Sequence, residues 1–418
     1  MLGIKTFLNK KIDLEFQNIL KSNFIPTNKT SFLKKKIIEK SIIKKLQHES
    51  WDKQIQAPVA LYTHPFFKNI LKKILPFNPN NLGNWSREKP FNISGLLEKK
   101  AINQIINLIA KKESDLGGYM TSGGTEANIF LMWAGKNHLK KNLKTKQLIV
   151  IQTGLTHYSI TKAADITDID HTQTSISSRT WGMDPMSFER TVKKEYKKGK
   201  RGFLIPLTLG YTITGSDDPI KEIDLTIKKL KKELDKVYFF CWVDAAFSGT
   251  IKPFIENNFH PFSYKNIFGF ITDFHKFPSF SYPSGIVIYR KSIIKNIAKK
   301  VSYIERNDTT VLGSRSGSAA IATWYGLNLI GKNGFKKMIN KSLKEKNEFI
   351  NTLKNRLPEI KIITQKNSVQ MAIFSANKKE KIILKKMDLK PITQKIILDE
   401  KPQNITIYKL YFLPFYKK

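Results

Sequence analysis

The chain is poor in cysteine, in acidic side chains and in long apolar segments. Its single cysteine, Cys241, excludes an internal disulfide and is typical of a small buried apolar residue, as expected in a reducing cytoplasm. No segment holds about 18 uninterrupted apolar residues, so we expect no membrane span. The first residues lack the apolar core and the small-residue cleavage site of a secretory signal. These absences favour a cytoplasmic globular protein.

Acidic residues are outnumbered, with 34 aspartates and glutamates against 72 lysines and arginines and a formal net charge of +38. An excess of this size is typical of proteins that bind nucleic acid or anionic membranes. The lysines are spread along the whole chain, however, and neither a zinc-ligand set nor an RNA-recognition motif accompanies them. We therefore expect no specific nucleic-acid partner, no membrane partner and no metal site. A basic nucleic-acid-binding protein is the alternative hypothesis.

Three regions follow from the pattern of apolar residues, which make up 41% of the chain. Residues 1–55 have basic and apolar positions at near-helical spacing, which predicts a helical segment. Residues 56–300 begin with a loop-like stretch and then alternate short apolar strands with amphipathic helices. That alternation predicts an α/β domain with a mostly parallel central sheet. Residues 301–418 contain two helices and then shorter strands, which predicts a smaller α+β domain.

Charged groups stand at the ends of two neighbouring predicted strands. The apolar run 237–243 ends in Asp244, and the apolar stretch 266–272 ends in Asp273-Phe274-His275-Lys276. A parallel α/β sheet builds its reactive site at the carboxyl ends of its strands. A carboxylate that keeps a pyridine nitrogen protonated and a lysine that forms an imine are the two groups that pyridoxal phosphate chemistry requires.

Two further features lie upstream in the order that such a site needs. Residues 121–125 read Thr-Ser-Gly-Gly-Thr before a predicted helix, where glycines and free N–H groups can hold a phosphate. His157 follows another strand, where its imidazole can stack on a pyridine ring. Taken singly, the turn is equally an ordinary helix start capped by Thr125, and His157 is more simply a surface or capping histidine. Asp244 can be a helix cap at the end of a strand, and Lys276 is one lysine among many. Their joint order indicates a pyridoxal phosphate enzyme.

Further short motifs extend this order along the chain. They are Asn-Asn-Leu-Gly at 80–83, Thr-Ser-Gly-Gly-Thr-Glu-Ala-Asn at 121–128, His-Tyr-Ser at 157–159, Gly-Tyr-Thr at 210–212, Asp-Ala-Ala-Phe-Ser-Gly at 244–249 with Pro-Phe at 253–254, His-Lys at 275–276, Pro-Ser-Gly at 283–285 and Gly-Ser-Arg-Ser-Gly at 313–317. Over residues 80 to 353 these motifs resemble those of the group II pyridoxal-phosphate-dependent amino acid decarboxylases. They most resemble bacterial histidine and plant serine decarboxylases. Archaeal-type tyrosine/aspartate decarboxylases share the Thr-Glu-Ala-Asn and Asp-x-His-Lys runs. The resemblance implies an aspartate-aminotransferase-like fold (fold type I) and a homodimer.

The resemblance also implies a role for each matching residue. Lys276 would form the imine with pyridoxal 5'-phosphate, Asp244 would pair with the pyridinium nitrogen, and His157 would stack on the ring. Ala246 would pack on the opposite ring face, and Thr212 would lie near the ring hydroxyl. The phosphate would be held by Gly123, Gly124 and Thr125, with His275 close by.

Two residues depart from the family pattern. Tyr211 replaces the first threonine of the usual Gly-Thr-Thr, one residue before Thr212. Asp273 stands where several relatives carry serine or asparagine near the phosphate. A carboxylate there would repel the phosphate unless it is turned away or offset by a nearby cation.

The implied reaction is decarboxylation of an L-amino acid to an amine and carbon dioxide. Tyr303 best matches the position of a tyrosine, on a loop from the partner subunit, that returns a proton to the α-carbon. A packing tyrosine is the equal alternative. The substrate candidates are Tyr62, His64, Asn81 and Asn84, with Arg315 as a further one.

Histidine is the first substrate that the resemblance suggests, with serine, aspartate and tyrosine as the others. A different reaction on the same cofactor, such as carbon–carbon lyase, aldehyde synthase or aminotransferase chemistry, is the alternative, because a fold does not fix the reaction.

Overall fold

The structure is a computed structural model that divides the chain into two compact units, residues 1–54 and residues 55–418. It describes residues 36, 38–43, 46, 54–57, 63, 67–82, 92–110, 115–302, 306–374 and 377–414. In the first unit, residues 38–43 are helical, and most of the segment predicted over 1–55 lies outside the described residues. The second unit holds the sheets and the site.

Strands and helices alternate through the first two thirds of the second unit. The strands are β1 Asn80–Leu82, β2 Leu116–Thr121, β3 Leu148–Gln152, β4 Asp170–Gln173, β5 Gly202–Thr208, β6 Tyr238–Asp244, β7 Ile267–Asp273, β8 Gly285–Arg290, β9 Lys299–Val301, β10 Arg306–Asp308, β11 Ser314–Ser316, β12 Lys361–Ile363, β13 Gln370–Phe374, β14 Ile392–Leu398 and β15 Lys401–Tyr411. The α-helices are α1 Phe67–Ile74, α2 Asn92–Ile109, α3 Gly124–Leu139, α4 Ser159–Ile166, α5 Pro185–Lys197, α6 Ile220–Glu233, α7 Lys252–Ile255, α8 Gly317–Arg356 and α9 Lys378–Lys386.

The central sheet has seven strands in the order β2-β8-β7-β6-β5-β3-β4. Strands β4, β3, β5, β6 and β7 pair in parallel, and β8 pairs antiparallel with both β7 and β2. The carboxyl ends of β5, β6 and β7 therefore meet at one edge of the sheet. The predicted α/β class with a mostly parallel sheet is confirmed.

Both faces of the sheet are covered by apolar side chains, as β6 shows. Phe239, Cys241 and Val243 belong to one apolar cluster, whereas Phe240 and Trp242 belong to another. Alternate residues of a strand point to opposite faces, so the continuous apolar run 239–243 requires cover on both sides. Cys241 is fully buried, as predicted, and burial raises the pKa of its thiol.

The C-terminal part forms a second, antiparallel sheet of four strands in the order β12-β13-β15-β14. Helix α8 precedes it and bends at Gly331, whose φ of 61° is a left-handed conformation that glycine adopts readily. The bend matches the two successive helices predicted there. The expected smaller α+β region is thus present, while its boundary near residue 300 stays a prediction. No helix of the described part of the chain is long and apolar enough to cross a bilayer.

Candidate active site

The carboxyl ends of β5, β6 and β7 border a cavity of about 190 Å³. Asp244 ends β6, Asp273 ends β7, and the turn after β7 carries His275 and Lys276. Every residue predicted to hold the cofactor lines this cavity: Gly123, Gly124, Thr125, His157, Thr212, Asp244, Ala246, His275 and Lys276. The acid and the lysine from neighbouring strands therefore face one open space rather than packed core.

The Asp244 carboxylate lies at the carboxyl end of β6, where the residue is 5% exposed. Its Oδ2 accepts a hydrogen bond of 2.8 Å from the Asn128 amide, and its Oδ1 accepts one of 3.2 Å from the Ala246 backbone N–H. The Asn128 carbonyl in turn accepts a bond of 2.8 Å from the indole N–H of Trp242. Two donors thus fix the orientation of the carboxylate.

His157 is tied to the same network. Its Nδ1 lies 2.8 Å from the Ser159 hydroxyl, and that hydroxyl accepts a bond of 2.9 Å from the Asn128 amide. Burial lowers the pKa of His157, with Asp244 opposing this shift and Lys276 adding to it. The imidazole is therefore neutral at neutral pH, and both charged groups act on it.

Asp273 connects the lysine with the start of helix α3. Its Oδ2 lies 3.3 Å from Lys276 Nζ and accepts a bond of 3.1 Å from the Gly124 N–H, and His275 Nε2 is 3.6 Å away. The carboxylate is not turned away, and Lys276 is the cation that offsets it. Burial lowers the pKa of His275, so His275 does not supply that charge at neutral pH.

Helix α3 begins at Gly124, so Thr125 lies inside the helix and is not its cap. The residue at the cap position is Gly123, and no side chain caps the helix. A Cβ at Gly123 would stand 3.3 Å from the His275 ring, and one at Gly124 would stand 3.2 Å from Asp273 Oδ2. Side chains at these positions would fill the space next to the helix start. The N-terminus of a helix attracts anions through its free N–H groups and its dipole.

The remaining predicted residues are the substrate candidates and the proposed proton donor. Tyr62, His64, Asn84 and Tyr303 lie outside the described residues. Asn81 is described, but it is buried, and its amide donates to Glu98 at 2.7 Å and accepts from Ser94 at 2.5 Å.

Arg315, the further substrate candidate, is also engaged away from the cavity. It pairs with the same Glu98 carboxylate, and β11 pairs Arg315 with Asn81 in register. Asn81 and Arg315 thus both contact Glu98, and through it they connect β1 and β11 with helix α2.

Sequence reasoning missed the residues that support the predicted ones. Asn128 and Ser159 stand inside the quoted motifs, yet their contacts with Asp244 and His157 are tertiary and leave no local signal. Tyr211, the departure noted above, is fully buried, and its hydroxyl lies 2.8 Å from Asp218 Oδ1 and 2.9 Å from the Thr153 hydroxyl. The lining residues to which the sequence assigned no role are Ser122, Asn128, Leu155, Tyr158, Thr208, Gly210, Tyr211, Phe247, Asp273 and Tyr282.

A mostly parallel sheet with a lysine, an acid, a histidine and a glycine-led helix start at one edge defines the fold-type-I class of pyridoxal phosphate proteins. A family model described as "Pyridoxal-dependent decarboxylase conserved domain" matches residues 67–377. The chain belongs to this family of pyridoxal-dependent decarboxylases.

Individual relatives agree with that assignment. A tryptophan decarboxylase of Clostridium sporogenes is 34% identical over 63% of this chain and 64% of its own length. A histidine decarboxylase of Vibrio anguillarum is 27% identical over 63% of this chain and 65% of its own length. The matched part of the chain therefore spans less than two thirds of either relative. The solved L-methionine decarboxylase of Streptomyces sp.590 has the same fold, with a TM-score of 0.78, 15% identity and cover of 94% of this chain and 95% of that one.

Proposed function

We propose that this protein uses pyridoxal phosphate to decarboxylate an L-amino acid, releasing the amine and carbon dioxide. The observation that carries the proposal is that Lys276 and Asp244, from the ends of neighbouring strands, line one cavity together with a helix N-terminus. Membership of the decarboxylase family supports the reaction type. We also propose that the enzyme acts in the cytoplasm.

The residues around the cavity fit this cofactor. The Thr208 hydroxyl and Asp273 Oδ1 are buried without a hydrogen-bond partner among the described residues, and both residues line the cavity. Buried polar atoms are normally paired, so unpaired ones in a cavity are typical of a binding site. The cavity also offers an amine, a carboxylate and an anion-attracting helix start, which match an aldehyde, a pyridine nitrogen and a phosphate.

Each cavity residue then has a proposed role in holding the cofactor. Lys276 would bind the aldehyde carbon, Asp244 the ring nitrogen, and Thr212 would lie beside the ring hydroxyl. The ring would lie between His157 and Ala246. The phosphate would be held by Gly123, Gly124, Thr125 and His275.

Bound pyridoxal phosphate supplies an electron sink for the negative charge left at the α-carbon when carbon dioxide departs. Asp244 would pair with the protonated ring nitrogen, because two hydrogen bonds orient its buried carboxylate at that edge of the cavity. Leu155 and Phe247 line the cavity with apolar surface that excludes water. Lys276 holds or returns a proton at Nζ, and Asp273 orients that amine at 3.3 Å.

Tyr303 remains our candidate for the proton donor to the α-carbon. It would act from a loop of the partner subunit in a homodimer, so the proposal includes that oligomeric state. Replacing Tyr303 by phenylalanine should slow amine release and raise the share of turnovers that end in transamination. Unchanged kinetics would remove Tyr303 from this role.

For the substrate we propose an amino acid with a heteroaromatic side chain. Histidine was the first expectation from the motifs, and relatives named tryptophan decarboxylase and histidine decarboxylase match at 34% and 27% identity. Tyr62, His64 and Asn84 stay candidates for contacts with that side chain. Asn81 is not retained, because its amide is already bonded to Glu98 and Ser94.

The proposal is tested by incubating the cofactor-loaded protein with single amino acids and identifying the products by mass spectrometry. We expect an amine and carbon dioxide from histidine or tryptophan, and no product from Lys276→Ala. Serine, aspartate, tyrosine and methionine complete the panel. A 2-oxo acid as the main product would show an aminotransferase instead, and no product from any amino acid would refute the proposed reaction.

A further inference from the structure

The C-terminal four-stranded sheet lies directly behind one wall of the cavity. We propose that Tyr411, at the end of β15, is a positioning residue for the bound cofactor. Gln370 of β13 assists it by holding the same turn of the cavity wall. The inference rests on the proposed function, because it assumes that pyridoxal phosphate occupies the cavity. It extends the site to a part of the chain in which the motifs indicated no functional residue.

Tyr411 contacts the cavity wall first through its hydroxyl group. The hydroxyl donates a hydrogen bond of 2.5 Å to the backbone carbonyl of Thr212, which lines the cavity. The Tyr411 side chain is fully buried, and burial raises the pKa of its hydroxyl. The hydroxyl therefore stays protonated, and able to donate, throughout the pH range in which the protein works.

The ring of Tyr411 makes the second contact. It stacks on Phe247 with ring centroids 5.5 Å apart and an angle of 28° between the planes. Phe247 lines the cavity and directly follows Ala246, which we place against the cofactor ring. One side chain thus supports two separate stretches of the wall, the turn after β6 and the turn after β5.

The turn after β5 also packs closely on the C-terminal sheet through Gln370 and Gly215. The Gln370 amide donates a bond of 3.3 Å to the Tyr211 carbonyl. A Cβ at Gly215 would come within 2.6 Å of Gln370 Cβ and within 2.7 Å of the Ser368 hydroxyl. Gly215 and Gly210 have φ angles of 68° and 79°, a left-handed conformation that glycine adopts readily. The absence of a side chain at Gly215 also allows the close approach to the C-terminal sheet. The C-terminal sheet therefore sets where Thr212 stands.

A variant without the Tyr411 hydroxyl distinguishes the hydrogen bond to Thr212 from the ring contact with Phe247. In Tyr411→Phe the stacking on Phe247 is kept, and the Thr212 carbonyl loses its donor. A net hydrogen bond is worth about 1 kcal/mol, which corresponds to about a fivefold change in a binding constant. We expect the dissociation constant for pyridoxal phosphate to rise by about that factor, because Thr212 is then free to shift.

Tyr408→Phe is the matched control, since Tyr408 lies on the same strand, is also buried, and packs in the apolar cluster on the other side of that sheet. Cofactor affinity is measured by absorbance titration of cofactor-free protein. The absorption band of the bound cofactor is followed against pH, and melting of the cofactor-free protein is recorded. We expect Tyr411→Phe alone to weaken binding and to shift the band or its pH dependence, with melting close to that of Tyr408→Phe.

Equal affinities and equal spectra for the two variants would overturn the inference while leaving the proposed function intact. A loss of affinity in Tyr411→Phe that is matched by a loss of melting temperature, without a spectral change, would show a structural role only and would also overturn it. Failure of the unmodified protein to bind pyridoxal phosphate would refute the proposed function itself.

Discussion

Asn128 is the residue whose replacement should disturb the site most without touching a proposed contact with substrate. Its side chain donates to Asp244 at 2.8 Å and to Ser159 at 2.9 Å, and accepts from Trp242 at 2.8 Å. It is 1% exposed, so its three bonds are shielded from bulk water. We predict that Asn128→Ala destabilises the protein and loosens Asp244 together with the Ser159–His157 pair.

The size of the effect follows from these three bonds. Each is worth about 1 kcal/mol net, and the partners left behind are buried, including the indole N–H of Trp242. A buried donor or acceptor without a partner costs a further ~1–3 kcal/mol, partly relieved by local rearrangement. We expect the free energy of unfolding of the cofactor-free protein to fall by about 3–5 kcal/mol.

The assay is urea unfolding followed by tryptophan fluorescence, with Asn137→Ala as the matched control in the same helix. Asn137 is only partly buried, and its amide makes one bond, of 2.8 Å, to the Trp133 carbonyl. Asn137→Ala should lower the free energy of unfolding by at most about 1 kcal/mol. A loss in Asn128→Ala as small as the one expected for the control would refute the reasoning, because the Asn128 network would then add no more stability than one half-buried bond.

Three further predictions concern buried charged or titratable groups. Lys346 is 1% exposed, and its ammonium donates hydrogen bonds to the Thr364 hydroxyl and to the Gln365 and Ser368 carbonyls. Lys346→Met removes these bonds, so urea titrations should show a free energy of unfolding lower by about 2–4 kcal/mol. Unchanged stability would contradict this. The folded-state pKa of His157 lies below its usual 6.5, so the unfolded chain binds the proton first as pH falls. Stability should therefore drop below about pH 7, and His157→Gln should flatten that part of the pH profile of the urea midpoint; a parallel profile would contradict this. Asp273→Asn keeps an acceptor for the Gly124 N–H but removes a negative charge that would repel the phosphate at the helix start. Absorbance titration should therefore show about threefold to tenfold tighter binding of pyridoxal phosphate. Unchanged or weaker binding would contradict this.

The fold was predictable because its signals are local. The apolar run of β6 identifies a strand that is covered on both faces, and the charged residue Asp244 marks where this strand ends. The apolar stretch of β7 likewise identifies a buried strand, and Lys276 follows its end by three residues. Because parallel neighbours end at the same edge of the sheet, the order of the motifs along the chain was enough to expect the two groups to share a cavity.

The supporting contacts were not predictable for the opposite reason. Asn128 and Asp244 are 116 positions apart, and Thr212 and Tyr411 are 199 positions apart. No periodicity or propensity in one segment identifies a hydrogen-bond partner at that distance. Asn81 shows the reverse case, since its place in a motif suggested a substrate contact and its burial against Glu98 uses its amide in the structure. The role of Asp273 also depended on geometry, because only the position of Lys276 shows how its charge is offset.

The central claim is that Lys276 holds pyridoxal phosphate, and one labelling experiment tests it most directly. The protein is loaded with pyridoxal phosphate, reduced with borohydride, digested and analysed by peptide mass spectrometry. The proposal predicts a single labelled peptide, with the phosphopyridoxyl group on Lys276, and no label at that peptide in Lys276→Arg. Because the chain holds 64 lysines that could form the imine, the position of the label is a demanding test. A stoichiometric label on another lysine would contradict the assignment of the site.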